Sequence, residues 1–500
     1  MYQRYRALSW QKRAIYGLLT AAIFLFSVYA LFYKLGNEPL QDYDEATYAE
    51  VTLENQAHGN PSELTFLNQP YFRKPPLLFW MTAATTHVFS DTEFALRFPS
   101  ALAGLLAVLV VMAICLEAGV GMPFVLLGGA ILATSATWME FARDVRFDNL
   151  VALFIAAAFY TGMRAVRNPR WYVAVGIALA LAVLSKSVIV AFAGVALLAY
   201  ALLELGWSRT FALLKEQWVW AGAGIFLLIA LPWHIYESIT YGTAFWHSYL
   251  GTEVIERASV NLFPGTNNPT NAEYLGHLAN YAAPWTEVFL AALFALPFMY
   301  RRMKQNTPTA VSALGASVIT VFSVLAVMFS AGTKAFGYLM PLYPFMAVAI
   351  ALTTAQLWEG TESLKGYLKT AMRAGFACAL LLLVLFAARH TRYNALHIDP
   401  YYGWEIGQAY EERDVAAIVR NVPDATVYIY NYDAIGAILY YSRIPDSATP
   451  YVSTWNISRV PVPNALILAT SSQALASAFP HEHFTSLYSG KFVSLVSVSD

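Results

Sequence analysis

The sequence has few charged residues for its length. Of its 500 residues 13% are charged, whereas 58% are hydrophobic and 15% are aromatic. A soluble globular protein carries about a quarter charged residues. The composition therefore predicts a polytopic membrane protein. The net charge of −1 gives no indication of a nucleic-acid partner, so the position of each charge is more informative than the sum.

Cysteine is also scarce. Cys115 and Cys378 both lie inside apolar runs, which indicates neither a disulfide framework nor a thiolate metal site. A cleavable signal peptide is not expected, because the basic residues between positions 4 and 13 precede an apolar run long enough to span a bilayer, and no small-residue cleavage site follows it. No glycine-rich phosphate loop occurs in the predicted cytoplasmic loops, which excludes a cytoplasmic nucleotide-binding domain.

Apolar runs are abundant, and twelve of them are candidate membrane helices. They lie at 14–34, 77–89, 98–116, 122–138, 147–164, 171–184, 187–204, 219–237, 282–300, 311–330, 336–357 and 372–388. The basic loops fall on one side of the membrane only if the short run at 77–89 does not cross it. We therefore predict eleven crossings, with thirteen as the alternative, and a cytoplasmic N-terminus. The segments that then face outward are 35–97, 139–147, 239–281, 331–335 and the tail from 389.

The composition changes near residue 389. An amphipathic helix is predicted at 408–421, and strands are predicted at 427–431, 437–441, 465–470 and 492–498. We predict a membrane domain at 1–388, whose first outer loop is 35–97, and a small α/β extracytoplasmic domain at 389–500. No internal repeat is visible, which weighs against an inverted-repeat transporter.

The first outer loop combines carboxylates and cations beside the membrane, where charge is costly without a partner or a task. Asp44 and Glu45 belong to an acidic cluster that precedes a predicted helix of about 45–58, and Arg73 and Lys74 precede two prolines. A carboxylate here can act as a general base, and a lysine can bind phosphate. The structural alternatives are helix capping for the acids and interfacial anchoring for the cations.

Three further loops predicted on the same side carry charge. Asp148 lies at the start of a predicted helix. It follows a segment whose positive and negative side chains can pair with each other. Glu253 and Arg257 are four residues apart and can pair on a helix. Lys334, in one loop with Tyr338, is a lone cation between two apolar runs, and a phosphate partner would explain it. Together these loops can neutralise a phosphate and accept a proton.

The order of these motifs resembles a known family. DYDEATYAE at 42–50, KPPL at 74–77, Asp148 and the run from Lys334 to Pro344 resemble the polyprenyl-phosphate-sugar glycosyltransferases of the GT-C fold. These include the protein O-mannosyltransferases and the bacterial aminoarabinose transferases of lipid A. The resemblance covers about residues 10–350. It implies that a sugar carried on a polyprenyl phosphate is transferred, with inversion, to a lipid, glycan or protein acceptor on the outer face.

The resemblance also implies roles for individual residues. Asp44 matches the first-loop acid and Lys74 the donor-phosphate lysine. Asp148 matches the second-loop acid, and Arg257 matches the later phosphate arginine. We therefore expect Asp44 to accept the proton. Asp148 is expected to position the acceptor substrate or the base, and Glu45 is expected to have a secondary catalytic role. The residues expected around the donor phosphate are Lys74, Arg257, Arg73, Lys334 and Tyr338.

One position departs from the aminoarabinose-transferase branch of this family. In that branch an acidic residue precedes the lysine and helps to hold a metal with a later histidine. Here the corresponding residues are Arg73 and either Thr252 or Glu253. No metal ligand is therefore predicted, and a requirement for a divalent metal stays open. We interpret His58, Trp80 and Lys186 as structural.

The expected leaving group is a polyprenyl phosphate, which departs as an anion. Lys74 and Arg257 can stabilise its developing charge, so no general acid is needed, unlike in glycoside hydrolysis. The expected location is a bacterial inner membrane, with the N-terminus cytoplasmic and the C-terminal domain periplasmic. The alternatives are a transporter or flippase of a lipid-linked sugar, and a non-catalytic scaffold whose outer domain binds glycan.

Overall fold

A computed structural model of the protein describes residues 9–42, 44–262, 268–396, 403–422, 427–430, 436–442, 466–480 and 483–498. These residues form two compact units. The helical unit contains the described parts of 1–33, 72–78 and 99–397, and the α/β unit contains those of 34–71, 79–98 and 398–500.

Most of the described chain is helical. In chain order the helices are α1 Trp10–Phe32, α2 Asp44–His58, α3 Leu77–Phe89, α4 Glu93–Glu117, α5 Met122–Ala133, α6 Ala136–Phe141, α7 Asp148–Ala165, α8 Tyr172–Lys186, α9 Ala191–Leu205, α10 Trp207–Ala212, α11 Gln217–Tyr241, α12 Thr243–Trp246, α13 Arg257–Ser259, α14 Asn271–Tyr281, α15 Trp285–Asn306, α16 Pro308–Ser330, α17 Leu342–Gly360, α18 Gly366–Leu396, α19 Gly403–Arg420, α20 Gly436–Ser442 and α21 Ser472–Ala478. The strands are β1 Thr65–Phe66, β2 Gln69–Pro70, β3 Val427–Tyr430, β4 Leu466–Ala469, β5 Phe484–Ser489 and β6 Ser494–Val498.

Each predicted apolar run overlaps a helix. In the described chain seven helical segments are long and apolar enough to span a membrane, and three shorter apolar helices accompany them. The run at 122–138 is divided into α5 and α6, where the hydroxyls of Thr134 and Ser135 donate to carbonyls one turn earlier. The predicted helical membrane fold with a small α/β region is confirmed, and the number of crossings stays a prediction.

Helix α17 lies at the centre of the helical unit. Every residue from Leu342 to Gln356 is buried, and the helix packs against α16, α5 and α15. A helix that is apolar on all sides is one that other elements surround. By contrast, the most apolar windows of α1 and α18 are only 17% and 6% buried. These two helices therefore present their apolar side chains to the surrounding membrane.

Helices α8 and α11 approach each other at two glycines. A Cβ atom on Gly176 would lie 2.1 Å from the carbonyl oxygen of Gly222, and a Cβ atom on Gly222 would lie 2.2 Å from that of Tyr172. The two backbones are therefore in direct contact, which small residues permit between membrane helices.

Replacing either glycine should separate these helices. We expect Gly176→Val and Gly222→Val each to lower the thermal stability of the detergent-solubilised protein, because the added side chain costs about 1–3 kcal/mol in an already close-packed site. Gly224→Val is the matched control, since a Cβ atom there meets nothing within 4 Å. Thermal unfolding followed by size-exclusion chromatography measures the effect. Equal melting of all three variants would contradict this packing.

The α/β unit contains a four-stranded sheet in the order β3-β4-β6-β5. Strands β3 and β4 are parallel, and the other two pairings are antiparallel. Ile467, Val496 and Val498 pack against Leu475 and Phe479 in its core. This arrangement agrees with the predicted strands near 427, 466 and 494 and with the helix predicted at 408–421. Strand β5 and helix α21 were not predicted.

The prediction of a strand at 437–441 is wrong. All seven residues of α20 are buried, and this helix packs against α2. The carboxylate of Asp42 accepts a hydrogen bond from the backbone N–H of Ala437 at 3.1 Å, which caps the first turn of the helix. Because Asp42 precedes Ala437 by 395 residues, tertiary structure has overridden the local β propensity of this segment.

Candidate functional site

In the helical unit, one carboxylate stands between two cations. Glu253 Oε2 lies 3.0 Å from Lys74 Nζ, and Glu253 Oε1 lies 2.9 Å from Arg257 Nη2. The three side chains are 10–17% exposed. Burial raises the pKa of Glu253, but the two cations outweigh it and hold this pKa below its usual value. The trio therefore keeps a net charge of about +1 near neutral pH.

This trio is supported by an unusual piece of backbone. Residues His247–Glu256 form a π-helical segment, which continues into α13 at Arg257. π-Helical backbone is rare and occurs frequently at functional sites. The predicted pairing of Glu253 with Arg257 is confirmed, whereas the contact between Glu253 and Lys74 was not predicted.

The contacts continue beyond Arg257. Its Nη1 atom donates to the hydroxyl of Tyr338 at 3.3 Å. The ammonium of Lys186 lies 4.5 Å from the centre of the Tyr338 ring, and it also pairs with the carboxylate of Asp148. We call this set the charged network, and its members are Lys74, Glu253, Arg257, Tyr338, Lys186 and Asp148.

Lys186 was interpreted as structural, but it belongs to the charged network. It ends α8, and the next residue, Ser187, has a φ of +28°. A non-glycine residue at positive φ is strained, and such residues persist where the surrounding structure fixes them. The strained residue thus directly follows the lysine that pairs with Asp148. The sequence did carry a signal, because a lysine between two apolar runs is costly in a membrane protein.

Asp148 is closely covered by the loop before α17. It lies at the start of α7 and is 7% exposed. A Cβ atom on Gly337 would lie 2.9 Å from Asp148 Cγ, so only glycine allows this approach without displacing a neighbour. The position of Tyr338 is thereby tied to that of Asp148.

The same loop is bonded to the segment that follows Arg257. The backbone N–H of Thr333 donates to the carbonyl of Arg257 at 2.8 Å. The amide of Asn268 donates to the carbonyl of Gly332 and accepts from the backbone N–H of Lys334. The ammonium of Lys334 donates to the carbonyl of Ala331, so this predicted phosphate ligand contacts its own loop.

The residues present do not fit the metal site of the aminoarabinose-transferase branch. Both oxygens of Glu253 are paired with cations, and the exposed Arg73 adds a positive charge beside Lys74. Within the ranges that the structure describes, no three His, Cys, Asp or Glu side chains cluster as metal ligands.

In the α/β unit, Glu45 forms a buried ion pair with Arg97. Two nitrogens of Arg97 donate to the two oxygens of Glu45, at 2.7 Å each. The remaining N–H groups of Arg97 donate to the carbonyls of Leu35, Glu38 and Pro39. Glu45 is 2% exposed and Arg97 is 4% exposed. This pair fixes the chain at the start of α2.

Asp44, the neighbouring acid, has a different environment. Its side chain is exposed at the first position of α2, and its carboxylate accepts a hydrogen bond from the hydroxyl of Tyr48 at 3.1 Å. The structure therefore separates the two predicted acids by environment, with Glu45 enclosed and Asp44 accessible to a bound molecule.

A buried histidine supports the loop that carries Tyr338. The ring of His277 is stacked on that of Phe336, with centroids 4.2 Å apart, and it is 7% exposed. Burial lowers the pKa of His277 from 6.5 to about 4. The folded protein therefore holds this imidazole neutral under mildly acidic conditions.

The stability of the protein should depend on this histidine at acidic pH. Between pH 6.5 and 4 the unfolded chain binds a proton at His277 that the folded chain does not, so stability falls as the pH falls through this window, by about 2–3 kcal/mol. His277→Phe keeps the ring stack without the titration. We expect the wild type to lose more thermal stability than His277→Phe between pH 6.5 and 4. Equal losses would contradict the buried neutral imidazole.

Comparison with known proteins places these residues in a family context. A family model described as dolichyl-phosphate-mannose-protein mannosyltransferase matches residues 73–236, a range that includes Lys74, Asp148 and Lys186. An undecaprenyl phosphate-alpha-4-amino-4-deoxy-L-arabinose arabinosyl transferase of Enterobacter sp. is 25% identical over 366 residues, which cover 70% of this chain and 62% of that protein. Arabinosyl transferase 2 of Sodalis glossinidius is 26% identical over 381 residues, covering 74% of this chain and 66% of that protein.

Solved structures give a longer match. ArnT from Cupriavidus metallidurans bound to undecaprenyl phosphate superposes with a TM-score of 0.70 and 18% identity, covering 96% of this chain and 97% of that one. The apo oligosaccharyltransferase of Archaeoglobus fulgidus gives a TM-score of 0.57 and 14% identity, covering 87% and 64%. The chain thus has the GT-C fold. It spans 62–66% of the length of the two arabinosyl transferases above. The resemblance inferred from the motifs is confirmed.

Proposed function

We propose that this GT-C-fold relative of the polyprenyl-phosphate-sugar glycosyltransferases is itself an inverting glycosyltransferase. It would move a sugar from a polyprenyl phosphate, such as undecaprenyl phosphate, to a lipid, glycan or protein acceptor. The observation that carries the proposal is the trio in which Glu253 holds Lys74 beside Arg257. A buried site with a net positive charge in a membrane protein is stabilised by an anionic partner. The phosphate of a lipid-linked sugar is such an anion.

The donor phosphate would bind to the cations without breaking their contacts to Glu253. An ammonium group has three N–H donors and a guanidinium has five, so each cation can bond to the carboxylate and to a phosphate oxygen together. Tyr338 accepts a hydrogen bond from Arg257, which leaves its own O–H to donate. Arg73 and Lys334 would add positive potential at the edge of this site.

Transfer needs one proton acceptor and one stabilised leaving group. The oxygen of the acceptor substrate attacks the anomeric carbon of the sugar from the face opposite the phosphate. This attack inverts the configuration of that carbon. The bond from carbon to phosphate oxygen breaks, and its electron pair leaves with the polyprenyl phosphate, whose growing charge Lys74 and Arg257 stabilise. The acceptor proton passes to Asp44, which is the accessible acid of the pair at the start of α2.

The other two acids have supporting roles. Asp148 would orient the acceptor or the base, and Lys186 holds the Asp148 carboxylate in place and balances its charge. Glu45 would position the start of α2 through Arg97. This proposed role takes the place of the secondary catalytic one that the sequence suggested.

We place the site on the outer face of a bacterial inner membrane. Asp148 begins α7, whereas Arg164, near the end of that helix, faces Glu117 together with Arg167. Helix α7 is about 27 Å long, so the charged network and this basic group lie at opposite ends of the unit. Because basic loops favour the cytoplasm, this arrangement supports a periplasmic position for the network. A cytoplasmic N-terminus is part of the same proposal.

The direct test is sugar transfer by the purified full chain in lipid nanodiscs with a panel of undecaprenyl-phosphate-linked sugars. Release of undecaprenyl phosphate is the readout, and a mixture of lipid A, glycan and peptide acceptors is supplied. We expect Lys74→Met and Arg257→Met to lower the rate about 10²–10³-fold and Asp44→Asn to lower it about 10²–10⁴-fold. Lys365→Met, an exposed lysine outside the network, is the control.

Wild-type rates in both Lys74→Met and Asp44→Asn would sink the proposal. The flippase alternative is tested in the same preparation, reconstituted into vesicles. Translocation of the lipid-linked sugar without any release of undecaprenyl phosphate would favour that alternative and contradict transfer.

The contact between Gly337 and Asp148 yields a second prediction. Gly337→Ala places a methyl group against the Asp148 carboxylate, which Lys186 prevents from moving away. We expect turnover to fall at least tenfold while the protein remains folded. Gly360→Ala is the control, because a Cβ atom there meets nothing within 4 Å. Unchanged turnover in Gly337→Ala would show that the position of Asp148 does not matter.

Substitutions of the two acids at the start of α2, Asp44 and Glu45, should have different effects on stability and turnover. Glu45→Ala leaves Arg97 buried without its partner, which costs about 3–5 kcal/mol, so we expect a lower melting temperature. Asp44→Asn should melt like the wild type but lose turnover. If Glu45→Ala melts normally and still loses turnover, Glu45 has a catalytic role.

A further inference from the structure

The helical unit contains a cavity at the end opposite the charged network. Tyr16 and Leu19 of the first half of α1, Phe124 at the start of α5 and Trp358 near the end of α17 all line it. Tyr338 of the network precedes the first turn of α17. About 24 Å of helix separates that first turn from Trp358, so the cavity is distinct from the proposed donor site.

The walls of this cavity are almost entirely apolar. Its volume is about 490 Å³, which lies within the range of roughly 300–1,000 Å³ typical of ligand sites. Ala377, Leu381 and Leu19 belong to its lining, and the last two side chains are 58% and 47% exposed. The cavity therefore adjoins α1 and α18, two of the helices that present apolar side chains to the membrane. In a bilayer the molecules that reach such an opening are lipids with hydrocarbon chains.

The rim of the cavity carries positive charge. The guanidinium carbon of Arg373 lies 4.9 Å from the centre of the Trp358 ring. Lys369 and Arg373 both pair with Glu362, so two cations meet one carboxylate. Lys12, one turn before Tyr16, adds a further exposed cation on α1. A tryptophan with cations at the end of membrane helices is typical of the headgroup level.

Arg373 can exchange Glu362 for another anion at the rim at little cost in free energy. The Glu362 side chain is 54% exposed, so solvent screens its ion pair with Arg373 and the pair contributes little to stability. A lipid phosphate can therefore replace or join Glu362 beside Arg373 while its chains remain in the cavity. A neutral zwitterionic headgroup gains less from the excess of cations than an anionic headgroup does.

We propose that this cavity binds a bilayer phospholipid with an anionic headgroup. Its acyl chain fills the space between α1 and α18 and covers α5, and its phosphate lies at the rim beside Arg373 and Trp358. The bound lipid then completes the packing of two helices that are otherwise little buried. The occupant is a constituent of the membrane and not the donor of the proposed transfer reaction.

The experiment uses the full chain in nanodiscs of phosphatidylcholine that contain a trace of phosphatidylglycerol with a photoreactive acyl chain. After irradiation, labelled peptides are identified by mass spectrometry. We expect labels to concentrate on residues 10–32 and 366–396. Ala377→Trp and Leu381→Trp each fill the cavity and should reduce this labelling at least threefold. Leu228→Trp, at a 69% exposed position on α11, is the matched control.

Two results would overturn the proposal. The first is labelling of 10–32 and 366–396 that remains at the wild-type level in both filled variants, since the lipid would then lie outside the cavity. The second is equal labelling by phosphatidylcholine with the same photoreactive chain, which would remove the preference for an anionic headgroup. Arg373→Gln should lower labelling by phosphatidylglycerol alone, and Arg373→Lys should retain most of it.

Discussion

The carboxylate of Glu253 is the group on which the charged network depends. Two cations held close together in a partly buried site repel each other and lose hydration. Glu253 makes their proximity tolerable by bonding to both, at 3.0 and 2.9 Å. It does so without removing their net positive charge. The site thus has a net positive charge before any ligand binds, and this is the preorganised electrostatic arrangement that the proposed reaction would need for a departing phosphate.

The fold brings the members of this network together from distant parts of the chain. Glu253 of the π-helical segment contacts Lys74, and Lys186 at the end of α8 contacts Asp148. Tyr338, in the loop before α17, contacts Arg257. Main-chain bonds then tie that loop to the segment after Arg257. These contacts form one connected set that runs from Lys74 to Asp148.

Much of the fold could be predicted from the sequence, because a bilayer requires long apolar helices and these are visible as apolar runs. The pairing of Glu253 with Arg257 could be predicted because it is local. Lys186 and Asp148 are 38 residues apart, and Lys74 and Glu253 are 179 apart, so their contacts depend on tertiary structure. The helix at Gly436–Ser442 was missed for the same reason, since its capping residue, Asp42, lies far away in the sequence.

The most direct test of the account is an experimental structure of the protein with undecaprenyl phosphate bound in nanodiscs. We expect density for the phosphate within hydrogen-bonding distance of both Lys74 Nζ and the Arg257 guanidinium, with Glu253 still bonded to the two cations. Density for the phosphate at another part of the protein, with the trio unchanged, would contradict the account.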